Sequence, residues 1–197
     1  MPAICVAGLM KLAMLDIRPT RLPEVLEIRS PKHGDDRGFF SEVWNTKTWC
    51  AAGIGLEFVQ DNHSLSRDVG VLRGLHFQLD PFAQAKLVRV TRGSVFDVAV
   101  DLRRRSSTFR QWVGVTLSPA QWNQLLIPVG FAHGFVTLEP DTEVQYKVTA
   151  PYSPEHDRAV RFDDPQIGVK WPFAAEAMTL SLKDQAATLL ADHETLF

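Results

Sequence analysis

Residues 87–103, LVRVTRGSVFDVAVDLR, contain the strongest β-strand signal in the chain. The segments LVRV and VFDVAVDL alternate polar with apolar residues or run apolar, and RGS between them has turn composition. Asp97 lies inside the second segment between Phe96 and Val98, where an unpaired carboxylate is costly. We therefore predict two strands, and a cationic or hydrogen-bonding partner for Asp97 in Lys86 or a histidine.

Further strand-like segments lie on both sides of this stretch, at intervals of roughly 8–12 residues with turns between them. They are residues 16–30, 56–66, 111–118, 123–130, 133–139 and 143–150. Pro19 and Pro23 interrupt the first segment, which indicates an edge strand. Helical patterns cover only residues 46–55, closed by Gly53, and residues 180–196, capped near Ser181. The whole pattern predicts an all-β sandwich or barrel with a few short helices, including a C-terminal one.

The composition indicates one domain that can bury a full core. The chain has 197 residues, of which 45% are hydrophobic, and its net charge is −2. The chain therefore lacks the global basic field that is typical of nucleic-acid-binding proteins, and we predict no nucleic-acid partner. A local basic cluster could still bind a phosphorylated small molecule.

The N-terminal segment MPAICVAGLMKLAML resembles neither a signal peptide nor a membrane span. It lacks a basic n-region, and its apolar run is too short to cross a bilayer. Met10 and Met14 are plausible starts, so we predict a disordered or mis-assigned extension over 1–13 and a single domain over 14–197. Cys5 and Cys50 are too few for a disulfide framework and lack CxxC spacing, which favours a cytoplasmic location; no membrane partner is expected.

Residues 70–86, GVLRGLHFQLDPFAQAK, place polar and cationic side chains among apolar ones. Arg73 precedes two pairs at period-2 spacing, His76 with Gln78 and Gln84 with Lys86. A strand that directs cationic side chains inward usually binds something anionic there. The alternative is a solvated strand face with one hydrogen-bonded core histidine.

The histidines argue against a metal centre. His63, His76 and His133 lie in strand or strand-edge contexts, but a zinc or iron site needs three or four ligands at suitable spacing. The pattern PxGxxH ends at His133, whereas the HxH half of the same barrel motif is absent because Gln78 follows His76 by two residues. We predict a metal-free protein.

Five residues on predicted strands can project into one barrel mouth: His76, Lys86, Asp97, His133 and Tyr146. A histidine base and a tyrosine acid suit proton removal and return beside a carbonyl, with Lys86 stabilising an enolate oxygen. The alternative for Tyr146 is an ordinary tyrosine at the rim. The chain has no GxSxG, P-loop or dinucleotide motif, which argues against hydrolase, kinase and dehydrogenase functions.

Nine blocks of sequence, in order over residues 17–185, resemble the dTDP-4-dehydrorhamnose 3,5-epimerases. They are DDRGFFSE, QDNHSLS, GVLRGLHFQ, QAKLVRVTRGSVFDVAVDLR, STFRQWVGV, IPVGFAHGF, YK, YSPEHDR and DDPQIGVKWP. The resemblance implies a metal-independent cupin jelly roll, or double-stranded β-helix, and a homodimer with exchanged N-terminal strands. It also implies a cofactor-free isomerase that acts on dTDP-4-dehydro-6-deoxy-D-glucose in the route to dTDP-L-rhamnose.

The same resemblance assigns catalytic roles. His76 matches the proton acceptor, Asp184 its carboxylate partner, and Tyr146 the proton donor on the opposite face of the sugar. Lys86 and His133 are expected near the 4-keto oxygen, with Asp97 as their buried counter-charge.

Nucleotide-binding roles follow in the same way. The implied binding residues are Arg37, Phe40, Glu42, Gln60, Asn62 and Arg73. Tyr152 matches the ring that stacks on thymine, and Asp157 and Lys183 match peripheral binding positions. An ordinary surface ion pair remains the alternative for Arg37 and Glu42. Departures from the family pattern at Val129, at Ala159 and before Thr108 concern loop geometry only.

Other functions are compatible with this sequence pattern. Relatives on the same scaffold epimerise only C3 or only C5, and cupin ketoisomerases share the barrel. A non-catalytic cupin that binds a sugar nucleotide has no need of an acid–base pair, and a metal oxygenase needs ligands that are absent here.

Overall fold

The structure, a computed structural model, describes residues 15–197. The predicted extension over 1–13, the domain boundary at residue 14 and Cys5 lie outside the described residues, so these predictions stay predictions. Thirteen strands follow in chain order: β1 (Asp16–Pro19), β2 (Leu26–Arg29), β3 (His33–Asp35), β4 (Gly38–Phe40), β5 (Gln60–Ser66), β6 (Leu72–Gln78), β7 (Lys86–Arg92), β8 (Val95–Asp101), β9 (Trp112–Leu117), β10 (Gln124–Ile127), β11 (Phe131–Thr137), β12 (Thr142–Val148) and β13 (Asp157–Ala159).

Two antiparallel sheets form the body of the molecule. Sheet A has the strand order β1-β2-β10-β7-β12-β5, and sheet B has the order β13-β6-β11-β8-β9. β3 and β4 form a separate hairpin. Neighbours in each sheet come from distant parts of the chain, as in a jelly roll, so the predicted all-β jelly-roll architecture is confirmed.

The segment 87–103 contributes one strand to each sheet. β7 pairs with β10 and β12 in sheet A, whereas β8 pairs with β9 and β11 in sheet B. The two strands are therefore predicted correctly, and the turn between them carries the chain from one sheet to the other. The segment 16–30 forms two strands, and only the first is the predicted edge strand: β1, which ends at Pro19, lies at the edge of sheet A, whereas β2 pairs with both β1 and β10. Proline suits the edge because it lacks the N–H that an inner strand needs.

The core fills the space between the sheets. Val88, Leu125 and Val144 of sheet A pack with Ala99 and Phe135 of sheet B in one buried cluster. Each such valine or leucine contributes about 1.5–3 kcal/mol when fully buried. Alternation along the strands directs these residues inward, and this rigid double layer holds the polar side chains of the barrel mouth in place.

Two α-helices are present among the described residues, and both are short. α1 (Thr46–Ala51) agrees with the prediction; the side chain of Asn45 accepts hydrogen bonds from Lys47 N and Thr48 N at its start. α2 (Leu182–Gln185) begins at the predicted cap, Ser181, but the prediction of one helix over 180–196 is wrong.

Tertiary contacts explain why α2 stops early. Thr188 forms a β-bridge with Val160, and the backbone N–H of Leu190 donates to the buried Asp164 carboxylate at 2.7 Å. These contacts hold the backbone extended after Gln185, apart from a short 3₁₀ turn at Leu190–Asp192. Another short 3₁₀ turn, Ala175–Ala177, precedes α2. No helix within residues 15–197 combines the length and apolar character that crossing a membrane requires.

Candidate active site

A cavity of about 350 Å³ opens between the two sheets at one end of the barrel. Its lining residues are Gln60, Asn62, His76, Phe77, Gln78, Gln84, Lys86, Tyr146, Val148, Tyr152, Asp157 and Lys183. The structure thus brings together eight of the fifteen predicted site residues in one cavity. Gln60 and Asn62 face it from the same side of β5, as their period-2 spacing predicts.

His76 and Asp184 form a hydrogen-bonded pair at this cavity. His76 Nε2 lies 2.6 Å from Asp184 Oδ1, although the residues are 108 positions apart. His76 is partly exposed to the cavity, whereas the side chain of Asp184 is 4% exposed. Burial opposes ionisation of Asp184, but hydrogen bonds from His76 and Ser181 outweigh it and keep its pKa below the ordinary value. The carboxylate fixes a proton on Nε2, so Nδ1 is the basic nitrogen of His76.

Tyr146 faces the same cavity from the opposite sheet. It lies on β12 of sheet A, whereas His76 lies on β6 of sheet B. Burial raises the pKa of Tyr146, and the positive charge of Arg73 partly opposes that shift. The phenol therefore carries its proton at neutral pH and can donate it.

Lys86 provides a buried positive charge beside His76. Its residue exposure is 8%, and its Nζ lies 3.5 Å from the carbonyl oxygen of His76. Burial lowers the pKa of Lys86 to about 8, and the nearby carboxylates of Asp157 and Asp97 limit the shift. A poorly solvated ammonium of this kind is suited to stabilise a developing oxyanion.

His133 and Asp97 form a second buried pair, so the predicted partner of Asp97 is a histidine. His133 Nε2 lies 3.0 and 2.9 Å from the two Asp97 oxygens, on the neighbouring strands β11 and β8. Burial lowers the pKa of His133, and the attraction of Asp97 only partly offsets it. Neither residue lines the cavity, and the charge of Lys86 also lowers the pKa of His133.

The cavity mouth carries a small polar cluster. Asp157 Oδ2 accepts a 3.0 Å hydrogen bond from the Tyr152 hydroxyl and also contacts Lys183 Nζ. Burial opposes the charged form of Lys183, but Asp157 outweighs it and raises the pKa of Lys183. Tyr152 is otherwise exposed, with its ring available for stacking.

Five of the predicted binding residues do not line this cavity: the buried His133, and Arg37, Phe40, Glu42 and Arg73. Arg37 belongs to the β3–β4 hairpin segment; its side chain is 90% exposed and contacts Asp35. Phe40 is 71% exposed, and Glu42 accepts hydrogen bonds from Asn45 and Thr48. Arg73 lies on β6 beside the cavity, where it donates to Ser66 Oγ at 3.3 Å and its charge reaches Tyr146.

The sequence predicted no catalytic role for three residues that form hydrogen bonds at this site. Ser181 Oγ donates to Asp184 Oδ2, the N–H of Gly74 donates weakly to Asp184 Oδ1, and Gln78 ties together the loops that flank the mouth. Ser181 was predicted only as a helix cap, and Gln78 only as an inward-facing residue. Their roles depend on contacts between distant segments, which local patterns do not reveal.

No cluster of three or more histidine, cysteine or acidic side chains suited to a metal ion occurs within residues 15–197. Three histidine–carboxylate pairs occur among the described residues, and Nε2 of each ring contacts a carboxylate: His76–Asp184, His133–Asp97 and the more exposed His63–Glu143. The donor set therefore suits proton transfer better than metal coordination.

Comparison with known proteins gives a consistent result. The family model described as dTDP-4-dehydrorhamnose 3,5-epimerase matches residues 19–192. The dTDP-4-dehydrorhamnose 3,5-epimerase of Sinorhizobium fredii is 53% identical over 171 residues, which cover 87% of this chain and 87% of that protein. The enzyme of the same description from Salmonella typhimurium is 51% identical over 178 residues, covering 90% of this chain and 96% of that protein.

A solved structure shows the same fold. It is the dTDP-6-deoxy-D-glucose-3,5-epimerase of Legionella pneumophila in complex with dTDP-4-keto-L-rhamnose. The TM-score is 0.85 and the identity 47%, over 90% of this chain and 93% of that chain.

Proposed function

Because this chain belongs to the dTDP-4-dehydrorhamnose 3,5-epimerase family, we propose that it inverts C3 and C5 of dTDP-4-dehydro-6-deoxy-D-glucose. The product is dTDP-4-dehydro-L-rhamnose, an intermediate on the route to dTDP-L-rhamnose. The chain is an isomerase that acts on dTDP-sugars.

In the proposed mechanism, a single carbonyl group activates two carbon atoms for proton removal. The 4-keto group acidifies the protons on both neighbouring carbons, so the same base can remove each in turn. His76 Nδ1 takes the proton, the C–H electron pair moves into an enolate, and Lys86 Nζ stabilises the enolate oxygen. Tyr146 then returns a proton to the same carbon from the other face. Before the second inversion, His76 releases its proton to solvent and Tyr146 takes up a proton from solvent. Asp184 stabilises the imidazolium that forms on His76.

The observation that carries this proposal is the placement of base and acid on opposite sheets. His76 projects from sheet B and Tyr146 from sheet A, so a sugar ring between them presents one face to each. Epimerisation requires proton removal on one face and return on the other, whereas a binding protein needs no such arrangement.

We propose that Gln60, Asn62, Arg73, Tyr152, Asp157 and Lys183 bind the nucleotide end of the substrate. Tyr152 offers an exposed ring at the mouth for stacking on thymine, and Arg73 offers a planar guanidinium for the pyrophosphate. Asp97 provides a buried carboxylate near Lys86, and it is hydrogen-bonded to His133.

We further propose a homodimer in which Arg37, Phe40 and Glu42 complete the site of the partner subunit. Within one chain these side chains do not line the cavity, and Arg37 and Phe40 point into solvent. Exchange of the N-terminal strands, as the family resemblance implies, would carry the β3–β4 hairpin to the other subunit. The cytoplasmic location, the independence from cofactors and metals and the lack of nucleic-acid or membrane partners stay predictions.

Turnover in D₂O tests the function. The purified enzyme is incubated with dTDP-4-dehydro-6-deoxy-D-glucose, and mass spectrometry counts the deuterium atoms that enter the sugar. Two exchanged positions support the double epimerisation. A single one would show a mono-epimerase acting at C3 or C5 only, and none would leave a non-catalytic sugar-nucleotide-binding cupin.

A further inference from the structure

Asp184 uses both carboxylate oxygens, and each has a different partner. Oδ1 lies 2.6 Å from His76 Nε2, and Oδ2 accepts a 2.7 Å hydrogen bond from Ser181 Oγ. Among the residues that the structure describes, Ser181 is the one donor to Oδ2. Removal of this hydroxyl therefore leaves that oxygen, on a nearly buried carboxylate, without a protein partner.

The contact between Ser181 and Asp184 is reciprocal. Ser181 Oγ also accepts a 3.2 Å hydrogen bond from the backbone N–H of Asp184, because Ser181 is the N-cap of α2. One side chain thereby orients both the backbone and the carboxylate of Asp184. With four residues, α2 is too short to hold Asp184 by helix stability alone.

The backbone of β6 adds a weaker constraint from the other side. The N–H of Gly74 lies 3.4 Å from Asp184 Oδ1, the oxygen that contacts His76. The carboxylate thus sits between β6 and the α2 cap, and rotation about its Cβ–Cγ bond breaks the Ser181 contact together with the His76 contact.

We infer that Ser181 is a positioning residue for the epimerisation, the third member of a Ser181–Asp184–His76 chain that orients the catalytic imidazole. This inference rests on the proposed function of His76 as the base. Ser181 does not touch the cavity, and its effect on the reaction passes through Asp184.

The Ser181–Asp184–His76 chain of hydrogen bonds affects the pH dependence of the reaction. The active form of the pair carries one negative charge, a neutral imidazole and an ionised carboxylate, and the Ser181 hydroxyl favours that form over the protonated one. Other titratable groups face the pair from every neighbouring element: Lys183 on α2, Lys86 on β7, His133 on β11, Tyr146 on β12 and Asp157 on β13. None of these changes when Ser181 is replaced.

The test compares Ser181→Ala, Ser181→Gly and Ser181→Thr with the wild type. Glycine is tolerated at an N-cap with little loss of helix stability, so it removes the hydroxyl alone, and threonine restores it. Ser94→Ala is the matched control, because Ser94 Oγ donates to the Glu139 carboxylate at 2.7 Å in the turn between β7 and β8, outside the cavity. The measurements are kcat, KM and the pH profile of kcat/KM.

The expected result for alanine and glycine is a loss of about tenfold in kcat with KM within about twofold. The acid limb of kcat/KM moves to higher pH by about one unit, since protonation of the pair becomes easier. Threonine and Ser94→Ala match the wild type. An unchanged acid limb and kcat in both hydroxyl-free variants would overturn the inference.

A second measurement separates this inference from the proposed function. In the ligand-free protein, the proton between His76 and Asp184 is followed as a low-field resonance by proton NMR. We expect it to weaken or shift in Ser181→Gly and to persist in Ser181→Thr and Ser94→Ala. If the wild type catalyses no exchange, the proposed function fails, while this resonance still decides the role of Ser181: no change in Ser181→Gly refutes it.

Discussion

His76 and His133 show how one residue type acquires two roles inside one barrel. Both rings contact a carboxylate through Nε2, and the two residues lie opposite each other on β6 and β11. The side chain of His76 is 28% exposed and that of His133 only 7%. Contact with the cavity therefore makes His76 the candidate base, whereas burial keeps His133 neutral and structural or electrostatic in effect.

Replacement of His76 by alanine is expected to abolish turnover and to spare nucleotide binding. Loss of the base should reduce kcat by about a thousandfold or more, since a positioned general base contributes about 10²–10⁴-fold. Binding of dTDP, measured by calorimetry, should change by less than about threefold. Turnover equal to that of the wild type would refute the assignment of the base.

The buried ammonium of Lys86 predicts a basic limb in the activity profile. Because the pKa of Lys86 is lowered to about 8, the group is protonated below this pH and loses its charge above it. If the charge stabilises the enolate, kcat/KM should fall as the pH rises through about 8. Steady-state kinetics between about pH 6 and 10 measure this limb. A profile that stays flat through about pH 9 contradicts the role of Lys86.

At the scale of the elements, the close approach of β6 and β11 positions His76. The register between these strands shifts between His133 and Phe135, and Gly134 lies at this irregularity. A Cβ at Gly134 would lie 2.9 Å from the Arg73 carbonyl oxygen and 3.1 Å from Gly74 Cα. Both obstacles belong to the backbone, so a side chain here must push the strands apart.

Gly134→Ala is therefore expected to destabilise the fold by about 1–3 kcal/mol, the usual cost of overpacking a core. Urea denaturation measures this difference. The matched control is Gly55→Ala, because Gly55 is exposed and a Cβ there meets no atom within 4 Å. Equal unfolding free energies for the two variants would show that the strands yield without cost.

At the scale of the whole molecule, the cavity of one chain contains the proposed acid and base, whereas three of the predicted nucleotide-binding residues, Arg37, Phe40 and Glu42, lie outside it. The β3–β4 hairpin does not line the cavity, and Arg37 and Phe40 are exposed. Exposure costs little for the charged guanidinium of Arg37, but it leaves the apolar surface of Phe40 unburied. A second subunit that receives this hairpin would cover it.

Mixing two inactive variants tests this exchange. Subunits with His76→Ala keep Arg37, and subunits with Arg37→Ala keep His76. If Arg37 serves the partner, each mixed dimer regains one intact site. Random reassortment makes half of the dimers mixed, so about a quarter of the wild-type sites return. Assays at subsaturating substrate after refolding of an equimolar mixture measure the recovery.

Each variant refolded alone provides the control for the mixture. Activity of the mixture that stays at the mean of the separate variants would place Arg37 and His76 in the same subunit, or would remove Arg37 from the site.

Local sequence patterns accounted for most strands and for the inward direction of several polar side chains. Alternation depends only on the residues of one strand, which explains the correct positions of Gln60 with Asn62 and of the strands around Asp97. The prediction of one helix over 180–196 was wrong because contacts of Thr188 and Leu190 with distant segments override the local helical pattern.

The sequence by itself thus determined the all-β class, the family and the types of groups that the chemistry needs. The family resemblance already implied Asp184 as the carboxylate partner of His76. Only the tertiary structure decided that His133 is the hydrogen-bonded partner of Asp97 and that Ser181 holds the Asp184 carboxylate. The tertiary structure also places Arg37 and Phe40 outside the cavity of their own chain. The physical reason is that strand alternation is a local property, whereas contacts between side chains follow from the order in which a jelly roll pairs distant strands.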